Sequence, residues 1–282
     1  MSKITIEIIK LRKKENQKLT MLTGYDYTVA RIIDACGIDI ILVGDSLGNV
    51  IQGKPNTLSV TIDEIIYHTK CVSAAVKNSF ILADMPFLSY QISERDAILN
   101  AGNLLKLGGA NGVKLEGGAE LKDLVKKLTQ YGIPVAGHIG LTPQYINSLS
   151  GYKVQGKTPE KIKQLINDAL ALQESGAFCI ILECIPEEVS KIITEKLEIP
   201  TIGIGAGKYC DGQVLVINDL LGLTNDFRPK FVKSYINLHL QITDAVIQYK
   251  NEVLKSVFPD AQHSFNLTED CLKDLQMEYK TK

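Results

Sequence analysis

Short apolar runs alternate with amphipathic stretches along the whole chain. Eight of these runs are rich in Ile, Val and Leu and are bounded by turn residues, which is typical of buried parallel strands. The eight predicted strands cover residues 19–24, 38–44, 80–85, 112–116, 134–139, 178–184, 200–205 and 214–217. Their short length and apolar character argue against a β-sandwich.

The stretches between the apolar runs predict helices. Thr61, with Glu64 three residues later, predicts a capping box, and Ser93 and Thr158 are further predicted N-caps. The predicted helices cover residues 28–36, 61–77, 93–107, 120–131, 158–175, 186–197 and 235–250.

Eight consecutive strand–helix units predict a (β/α)8 TIM barrel, with an open doubly wound sheet as the alternative. No linker or charge block divides the sequence, so we expect one domain across residues 1–282. Residues 1–16 predict an extra N-terminal helix, which we expect to close the bottom of the barrel. The charged residues 266–282 are expected to form a peripheral C-terminal tail.

The composition is ordinary for a soluble globular protein. The 282 residues are 45% hydrophobic and 22% charged, and the net charge of −1 gives no electrostatic case for binding nucleic acid or an anionic membrane. No apolar run approaches the roughly 18 residues of a membrane span, and the N-terminus lacks the apolar core of a secretory signal. None of the six cysteines forms a CxxC pair, so we expect reduced thiols in a cytoplasmic protein.

Four of the apolar runs end in an acid. These acids are Asp45, Asp84, Glu116 and Glu183. In α/β proteins, ligands and catalytic groups lie at the carboxyl ends of parallel strands. The four acids therefore predict a single site at which hard oxygen ligands converge.

The first two acids suggest a magnesium site. Asp45 and Asp84 end neighbouring strands and have no clustered His or Cys, which suits a hard cation such as Mg²⁺. Glu116 ends the next strand and is expected to join the metal directly or through a water. The alternative is that these acids pair with Lys or Arg, or cap helices.

Lys114 and Glu183 are candidates for binding and catalysis. Lys114 points to the same side as Glu116, and it is expected to pair with an acidic substrate or to form a Schiff base. Glu183 lies between Leu182 and Cys184, an apolar setting expected to raise its pKa and to favour a role as a base towards a metal-bound α-keto acid. For both residues, a structural pair in the core is the alternative.

Three further features follow predicted strands. His138 is expected to hydrogen-bond the substrate or to hold a neighbouring acid. The glycines of residues 203–207 (GIGAG) are better explained by a tight turn than by an oxyanion contact. The long loops 47–60 and 141–157 are predicted to be lids or substrate walls, with surface decoration as the alternative.

Sequence motifs from about residue 19 to residue 265 occur in a specific order. They are GYDYTVARIIDACGIDIILVGDSLGNVIQG, ILADMPFLSY, GGANGVKLEGG, PVAGHIGLTPQ, SGYKVQGK, LECIP and PTIGIGAGKYCDGQVLV. Together they resemble the ketopantoate hydroxymethyltransferase family over nearly the whole chain.

The resemblance implies a barrel of the phosphoenolpyruvate/pyruvate type and a cytoplasmic step of pantothenate synthesis. A hydroxymethyl group would move from 5,10-methylenetetrahydrofolate to 3-methyl-2-oxobutanoate, giving 2-dehydropantoate. The resemblance further implies a homo-oligomer, commonly a decamer.

The motifs also imply residue roles. The implied Mg²⁺ ligands are Asp45, Asp84 and Glu116, the last at or next to the metal. The implied substrate-binding residues are Asp45, Ser46, Asp84, Lys114 and His138. Ser46 and the backbone of Asp45 would grip the carboxylate of the keto acid, and Glu183 would remove its C3 proton.

Two other functions fit the same residues. One is a Mg²⁺-dependent lyase or mutase that acts on a 2-oxo or 2-hydroxy acid. The other is a barrel that binds a keto acid as a sensor or as an inactive partner subunit. The product identifies the lyase or mutase, and the absence of C3 proton exchange identifies the sensor.

Overall fold

The computed structural model describes residues 3–149, 151–224 and 229–279. The chain divides into two compact units, residues 1–235 and residues 236–282. This division concerns compactness, and the single domain across residues 1–282 stays a prediction.

The first unit contains a closed barrel of eight parallel strands. Each strand pairs with the next along the chain, and β8 pairs with β1. The strands are β1 (Leu19–Thr23), β2 (Ile40–Val43), β3 (Phe80–Asp84), β4 (Gly112–Glu116), β5 (Val135–Gly140), β6 (Cys179–Glu183), β7 (Thr201–Ile204) and β8 (Gly212–Leu215). Every predicted strand boundary agrees to within two residues. The closure confirms the TIM barrel and excludes the open doubly wound sheet.

Helices follow the strands around the barrel. In the described part of the chain, the α-helices are α1 (Ile6–Lys14), α2 (Tyr27–Ala35), α3 (Leu47–Val50), α4 (Ile62–Ser73), α5 (Glu94–Asn103), α6 (Lys122–Gln130), α7 (Ile146–Leu149), α8 (Pro159–Glu174), α9 (Glu187–Lys196), α10 (Ile217–Leu221), α11 (Leu238–Leu254) and α12 (Glu269–Tyr279). Helix α5 continues into a π-helical turn, and short 3-10 turns occupy Ala119–Leu121, Pro143–Tyr145 and Ala261–His263. None of the described helices is long and apolar enough to cross a membrane.

The predicted helix caps are present. The Thr61 hydroxyl accepts from the backbone N–H of Glu64, whose carboxylate accepts from the Thr61 N–H, so the capping box is complete. Ser93 and Thr158 cap α5 and α8 in the same way, each accepting from the N–H three residues later. These side chains satisfy N–H groups that have no partner within the helix.

Helix α1 closes the bottom of the barrel, as the sequence predicts. Its Ile9 is fully buried and packs into the apolar cluster inside the barrel. Phe80 and Phe178, near the starts of β3 and β6, belong to the same cluster, and their ring centroids lie 5.3 Å apart. The apolar filling leaves the opposite, carboxyl end of the strands as the place for a site.

The second unit contains α11 and α12. Helix α11 begins three residues later and ends four residues later than the predicted helix 235–250. Helix α12 lies within the predicted tail 266–282, of which residues 280–282 are outside the described part. No residue of either helix is buried.

Asp34 connects α2 to the start of β3 and gives a test of the fold. This buried carboxylate accepts hydrogen bonds from the backbone N–H groups of Lys77, Asn78 and Ser79 and from the Ser79 hydroxyl. Burial alone would raise its pKa, but these donors together lower it. Asp34→Asn places an amide donor against N–H donors, so we expect a loss of about 2 kcal/mol in unfolding free energy at pH 7.

The pH dependence of this loss provides the control. Because the folded-state pKa of Asp34 lies below its unfolded value of about 4, the stabilisation is present above that value. It is lost as the pH falls through the lowered pKa. Urea denaturation of wild type and Asp34→Asn should therefore show that the difference between their unfolding free energies becomes smaller in acid. A difference that does not change with pH would contradict this account.

Candidate active site

The predicted site residues meet at the carboxyl end of the barrel. The register pairs Asp84 with Lys114 across β3 and β4, and Glu116 with His138 across β4 and β5. Because alternate residues of a strand face the same side, Lys114 and Glu116 both point into the barrel. Glu183 ends β6, next to β5. The structure thus brings together every acid that the sequence predicts.

An N–H group holds one oxygen of each of three carboxylates. Asp84 Oδ2 accepts from the backbone N–H of Asp45 at 2.9 Å. Asp45 Oδ2 accepts from the Gln144 side-chain amide at 3.0 Å, and Glu116 Oε2 accepts from the Gln144 backbone N–H at 3.0 Å. These bonds fix the orientation of the carboxylates and leave the second oxygen of each outside this set of contacts.

Lys114 lies among these acids as the cationic partner. Its Nζ is 3.1 Å from Asp84 Oδ1, 3.4 Å from Glu116 Oε1 and 3.2 Å from His138 Nδ1. Burial acts to lower the pKa of Lys114, but the surrounding carboxylates, led by Asp84 and Glu116, outweigh it and raise the pKa. A protonated amine is not a nucleophile, so the geometry favours ion pairing over a Schiff base.

His138 connects Glu116 to Glu183. Its Nδ1 lies 3.3 Å from Glu116 Oε1, and its Nε2 lies 3.3 Å from Glu183 Oε2. Burial and Lys114 both act to lower the pKa of His138, but the two carboxylates raise it to about 9. The imidazole is therefore cationic near neutral pH and attracts the carboxylate of Glu183, although its Nε2 makes no hydrogen bond to the described residues.

The surroundings of Glu183 differ from the sequence expectation. Leu182 belongs to the core outside the barrel, so it does not face the carboxylate. The group that faces Glu183 is His138, at ion-pair distance. The Glu183 side chain is 16% exposed, whereas the Glu116 side chain is 1% exposed. Glu183 thus lies at the open side of the cluster, where a substrate can reach it.

Ser46 lies beside the acids at the start of α3. Its Oγ is 2.8 Å from the Tyr25 hydroxyl, which burial keeps protonated by raising its pKa. A Cβ on Gly44 would lie 2.8 Å from Ser46 Oγ and 3.5 Å from Asp84 Oδ2, so this glycine keeps the space between them free. The Asp45 N–H, which is expected to bind the substrate carboxylate, donates to Asp84 Oδ2 in this structure, and its contact with substrate stays a prediction.

Sequence reasoning missed Gln144 and Tyr90. Gln144 is buried in the 3-10 turn after β5, and its side-chain amide also donates to the Met85 carbonyl at 2.9 Å. The Tyr90 hydroxyl lies 2.9 Å from both Gln144 Oε1 and the Glu116 carbonyl oxygen, and it can donate to either. The only sequence signal for Gln144 was its place in the GHIGLTPQ segment after a strand.

The loop and turn features have separate roles. Gly205 and Gly207 both have positive φ angles, which confirms the tight-turn explanation for residues 203–207. In the loop 141–157, Tyr152 is exposed on one side, and the partial burial of its hydroxyl, followed by the charges of Glu183, Asp45 and Glu116, raises its pKa. This loop therefore borders the acid cluster.

The carboxylates fit a divalent cation. Asp84 Oδ1 is buried, and its contact is the ion pair with Lys114 at 3.1 Å, without a further hydrogen bond. Burial first, and then repulsion by Asp84 and Glu116, raise the pKa of Asp45 well above its usual range. The two cationic side chains, Lys114 and His138, do not balance the four carboxylates of the cluster, and a divalent cation beside Asp45 and Asp84 would remove the imbalance.

The number of protein ligands is small. Among the residues that the structure describes, no three His, Cys, Asp or Glu side chains are close enough together to enclose a metal. Magnesium is commonly held by one or two carboxylates, with water and substrate oxygens at its other positions. Asp45 and Asp84 suit such a site, and Glu116 suits contact through a water.

The fold is similar to that of solved TIM-barrel structures. A phosphoenolpyruvate phosphomutase from Streptomyces platensis subsp. rosaceus matches with a TM-score of 0.56 at 13% identity, covering 96% of each chain. A 2,3-dimethylmalate lyase, described as a member of the PEP mutase/isocitrate lyase superfamily, matches with a TM-score of 0.56 at 14% identity, covering 98% of this chain and 94% of the other. The architecture is thus the TIM barrel that these solved structures share.

Sequence comparison identifies the family within that fold. The profile of ketopantoate hydroxymethyltransferase matches residues 3–261. The 3-methyl-2-oxobutanoate hydroxymethyltransferase of Clostridium beijerinckii is 54% identical over 273 residues, 97% of this chain and 99% of the relative. That of Syntrophomonas wolfei is 51% identical over 275 residues, 98% of this chain and 100% of the relative. The chain belongs to the ketopantoate hydroxymethyltransferase family.

Asp84 gives a direct test of the metal site. Asp84→Asn keeps the size of the side chain but removes the charge and one strong oxygen ligand, so we expect Mg²⁺ affinity to fall by about tenfold or more. Titration calorimetry measures this change. Asp39→Asn is the matched control, since Asp39 is a buried acid that precedes β2 at the other end of the barrel. Equal affinities in wild type and Asp84→Asn would remove Asp84 from the metal site.

Proposed function

We propose that this protein transfers a hydroxymethyl group from 5,10-methylenetetrahydrofolate to 3-methyl-2-oxobutanoate, giving 2-dehydropantoate in pantothenate synthesis. The observation that carries the proposal is the acid cluster, with the His138–Glu183 pair at its open side. A cation-binding group and a carboxylate base on one rim suit removal of a proton next to a keto group. Membership of the family supports the choice of substrates.

The keto acid would be held by its carboxylate. Lys114 supplies a buried positive charge, and Ser46 supplies a hydroxyl next to the space that Gly44 leaves free. The carboxylate and keto oxygens of the substrate would lie towards the proposed metal position beside Asp45 and Asp84. When Mg²⁺ is bound by these two acids, it supplies positive charge where the keto oxygen becomes negative.

The apolar cluster inside the barrel suits the isopropyl group of the substrate. Leu42, Ile204 and Val214 belong to or pack against the apolar cluster inside the barrel, and Ile204 is only partly buried. Contacts with these side chains would turn the alkyl end away from Lys114. The C3 atom would then lie between the keto group and the carboxylate of Glu183.

Glu183 is the proposed base. Its carboxylate takes the C3 proton, and His138 holds that carboxylate in place through its Nε2. The carbanion equivalent at C3 then forms a carbon–carbon bond to the methylene carbon of the folate as the first of its two carbon–nitrogen bonds breaks. Water forms the carbon–oxygen bond as the second carbon–nitrogen bond breaks. The two released nitrogens take up the C3 proton and one proton of the water, which leaves tetrahydrofolate. His138 acts as a positioning residue in this scheme.

The base assignment predicts the effect of Glu183→Gln. The variant should bind Mg²⁺ and 3-methyl-2-oxobutanoate like wild type, because the amide keeps the shape of the side chain. Exchange of the C3 proton in D₂O, followed by NMR, should slow by about 100-fold or more. Glu188→Gln, which changes an exposed acid in the first turn of α9, is the control. An unchanged rate of C3 proton exchange in Glu183→Gln would contradict the role of Glu183 as the base.

We also propose that the protein is a cytoplasmic homo-oligomer, with the decamer taken from the resemblance. Helix α11 supports an oligomer, because it has no buried residue although much of its surface is apolar. All six cysteines are free thiols, which supports a reducing compartment. Binding of nucleic acid or membrane is not expected.

Light scattering tests the assembly. Ten copies of a 31.0 kDa chain should give about 310 kDa. Val246→Glu, which places a charge on the exposed apolar surface of α11, should lower this mass, since a buried charge without a partner is costly. A monomeric wild-type protein at working concentration would contradict the proposal.

A further inference from the structure

Gln144 contacts two of the proposed metal-site carboxylates through uncharged N–H donors, whereas Lys114 contacts two of them through its ammonium group. The backbone N–H of Gln144 holds Glu116 Oε2, and its side-chain amide holds Asp45 Oδ2. The side chain is almost completely buried, at 3% exposure of the residue. A buried amide that donates to carboxylates is well placed to decide how those carboxylates meet a cation.

The orientation of the amide follows from its other contacts. Nε2 also donates to the Met85 carbonyl at 2.9 Å, and Oε1 lies 2.9 Å from the Tyr90 hydroxyl. Turning the amide by 180° would set Oε1 against Asp45 Oδ2 and the Met85 carbonyl oxygen, which are all acceptors. The surroundings therefore force the donor side of Gln144 towards Asp45.

The result is a common pattern in three carboxylates. Gln144 occupies the Oδ2 atom of Asp45 and the Oε2 atom of Glu116, and the Asp45 N–H occupies the Oδ2 atom of Asp84. In each group only one oxygen stays outside these N–H contacts. The other oxygens of Asp84 and Glu116 face the Lys114 ammonium group at 3.1 Å and 3.4 Å. Asp45 is therefore the carboxylate that Gln144 prepares to give a cation one oxygen and not two.

We propose that Gln144 is a positioning residue that favours Mg²⁺ over Ca²⁺ at this site. The inference rests on the metal site of the proposed function. Mg²⁺ requires near-octahedral geometry at about 2.0–2.1 Å, whereas Ca²⁺ takes six to eight oxygens at about 2.3–2.6 Å and accepts both oxygens of a carboxylate. By occupying Asp45 Oδ2, the Gln144 amide blocks two-oxygen binding by Asp45.

The test is cation binding and not turnover. Gln144→Met has a similar size and no N–H donor on its side chain, so Asp45 Oδ2 becomes available to a cation. Titration calorimetry with MgCl₂ and with CaCl₂, each in the presence of 3-methyl-2-oxobutanoate, gives the ratio of the two dissociation constants. We expect the dissociation constant for Ca²⁺, divided by that for Mg²⁺, to fall by about tenfold in Gln144→Met.

Two further variants make the result specific. Tyr90→Phe removes the hydroxyl that faces Gln144 Oε1, so the amide is less firmly held, and we expect a smaller shift in the same direction. Ser148→Ala removes only an exposed hydrogen bond to the Tyr145 carbonyl in the same loop, and it should leave the ratio unchanged.

The outcomes separate the inference from the proposed function. If wild type binds neither cation, the proposed metal site fails and the inference fails with it. If wild type binds Mg²⁺ and Gln144→Met weakens both cations equally or changes neither, the site stands and the selectivity role is overturned. If Gln144→Met does not fold by circular dichroism, Tyr90→Phe decides, and an unchanged ratio there overturns the role.

Discussion

Mutual repulsion among three buried carboxylates is the constraint on which the site depends. Asp45, Asp84 and Glu116 lie at the barrel mouth with two cationic groups, Lys114 and His138, against their three negative charges. At an effective dielectric constant of about 20, two charges 4 Å apart interact by about 4 kcal/mol, so this excess is costly. The cost is tolerable because N–H donors from Asp45 and Gln144 each take one carboxylate oxygen.

The barrel makes this arrangement possible. Parallel strands in register bring acids that are far apart in sequence onto one rim, and the apolar filling beneath holds their backbones fixed. The loop after β5 adds Gln144 from above, so the carboxylates are held from both the strands and the loop. His138 on β5 extends the set of contacts to Glu183 on the neighbouring strand β6. Binding groups and base thus belong to one connected network on a rigid support.

The sequence predicts the barrel and the acids well, because both depend on local patterns. Apolar runs with an acid at the end locate the strands and the rim, and Thr61 with Glu64 locates a helix start. The role of Gln144 depends on how the loop 141–157 folds over the rim, which no periodicity encodes. For Glu183, the neighbouring Leu182 suggested an apolar setting. Because successive residues of a strand face opposite sides, the Leu182 side chain points to the outer core and away from Glu183.

The reaction itself is the central claim, and a product assay tests it most directly. Purified protein, 3-methyl-2-oxobutanoate, 5,10-methylenetetrahydrofolate and Mg²⁺ would be mixed with and without a chelator, and 2-dehydropantoate would be followed by mass spectrometry. The account predicts product that disappears when the chelator removes the metal. Absence of product from protein that is shown to bind the keto acid would contradict it.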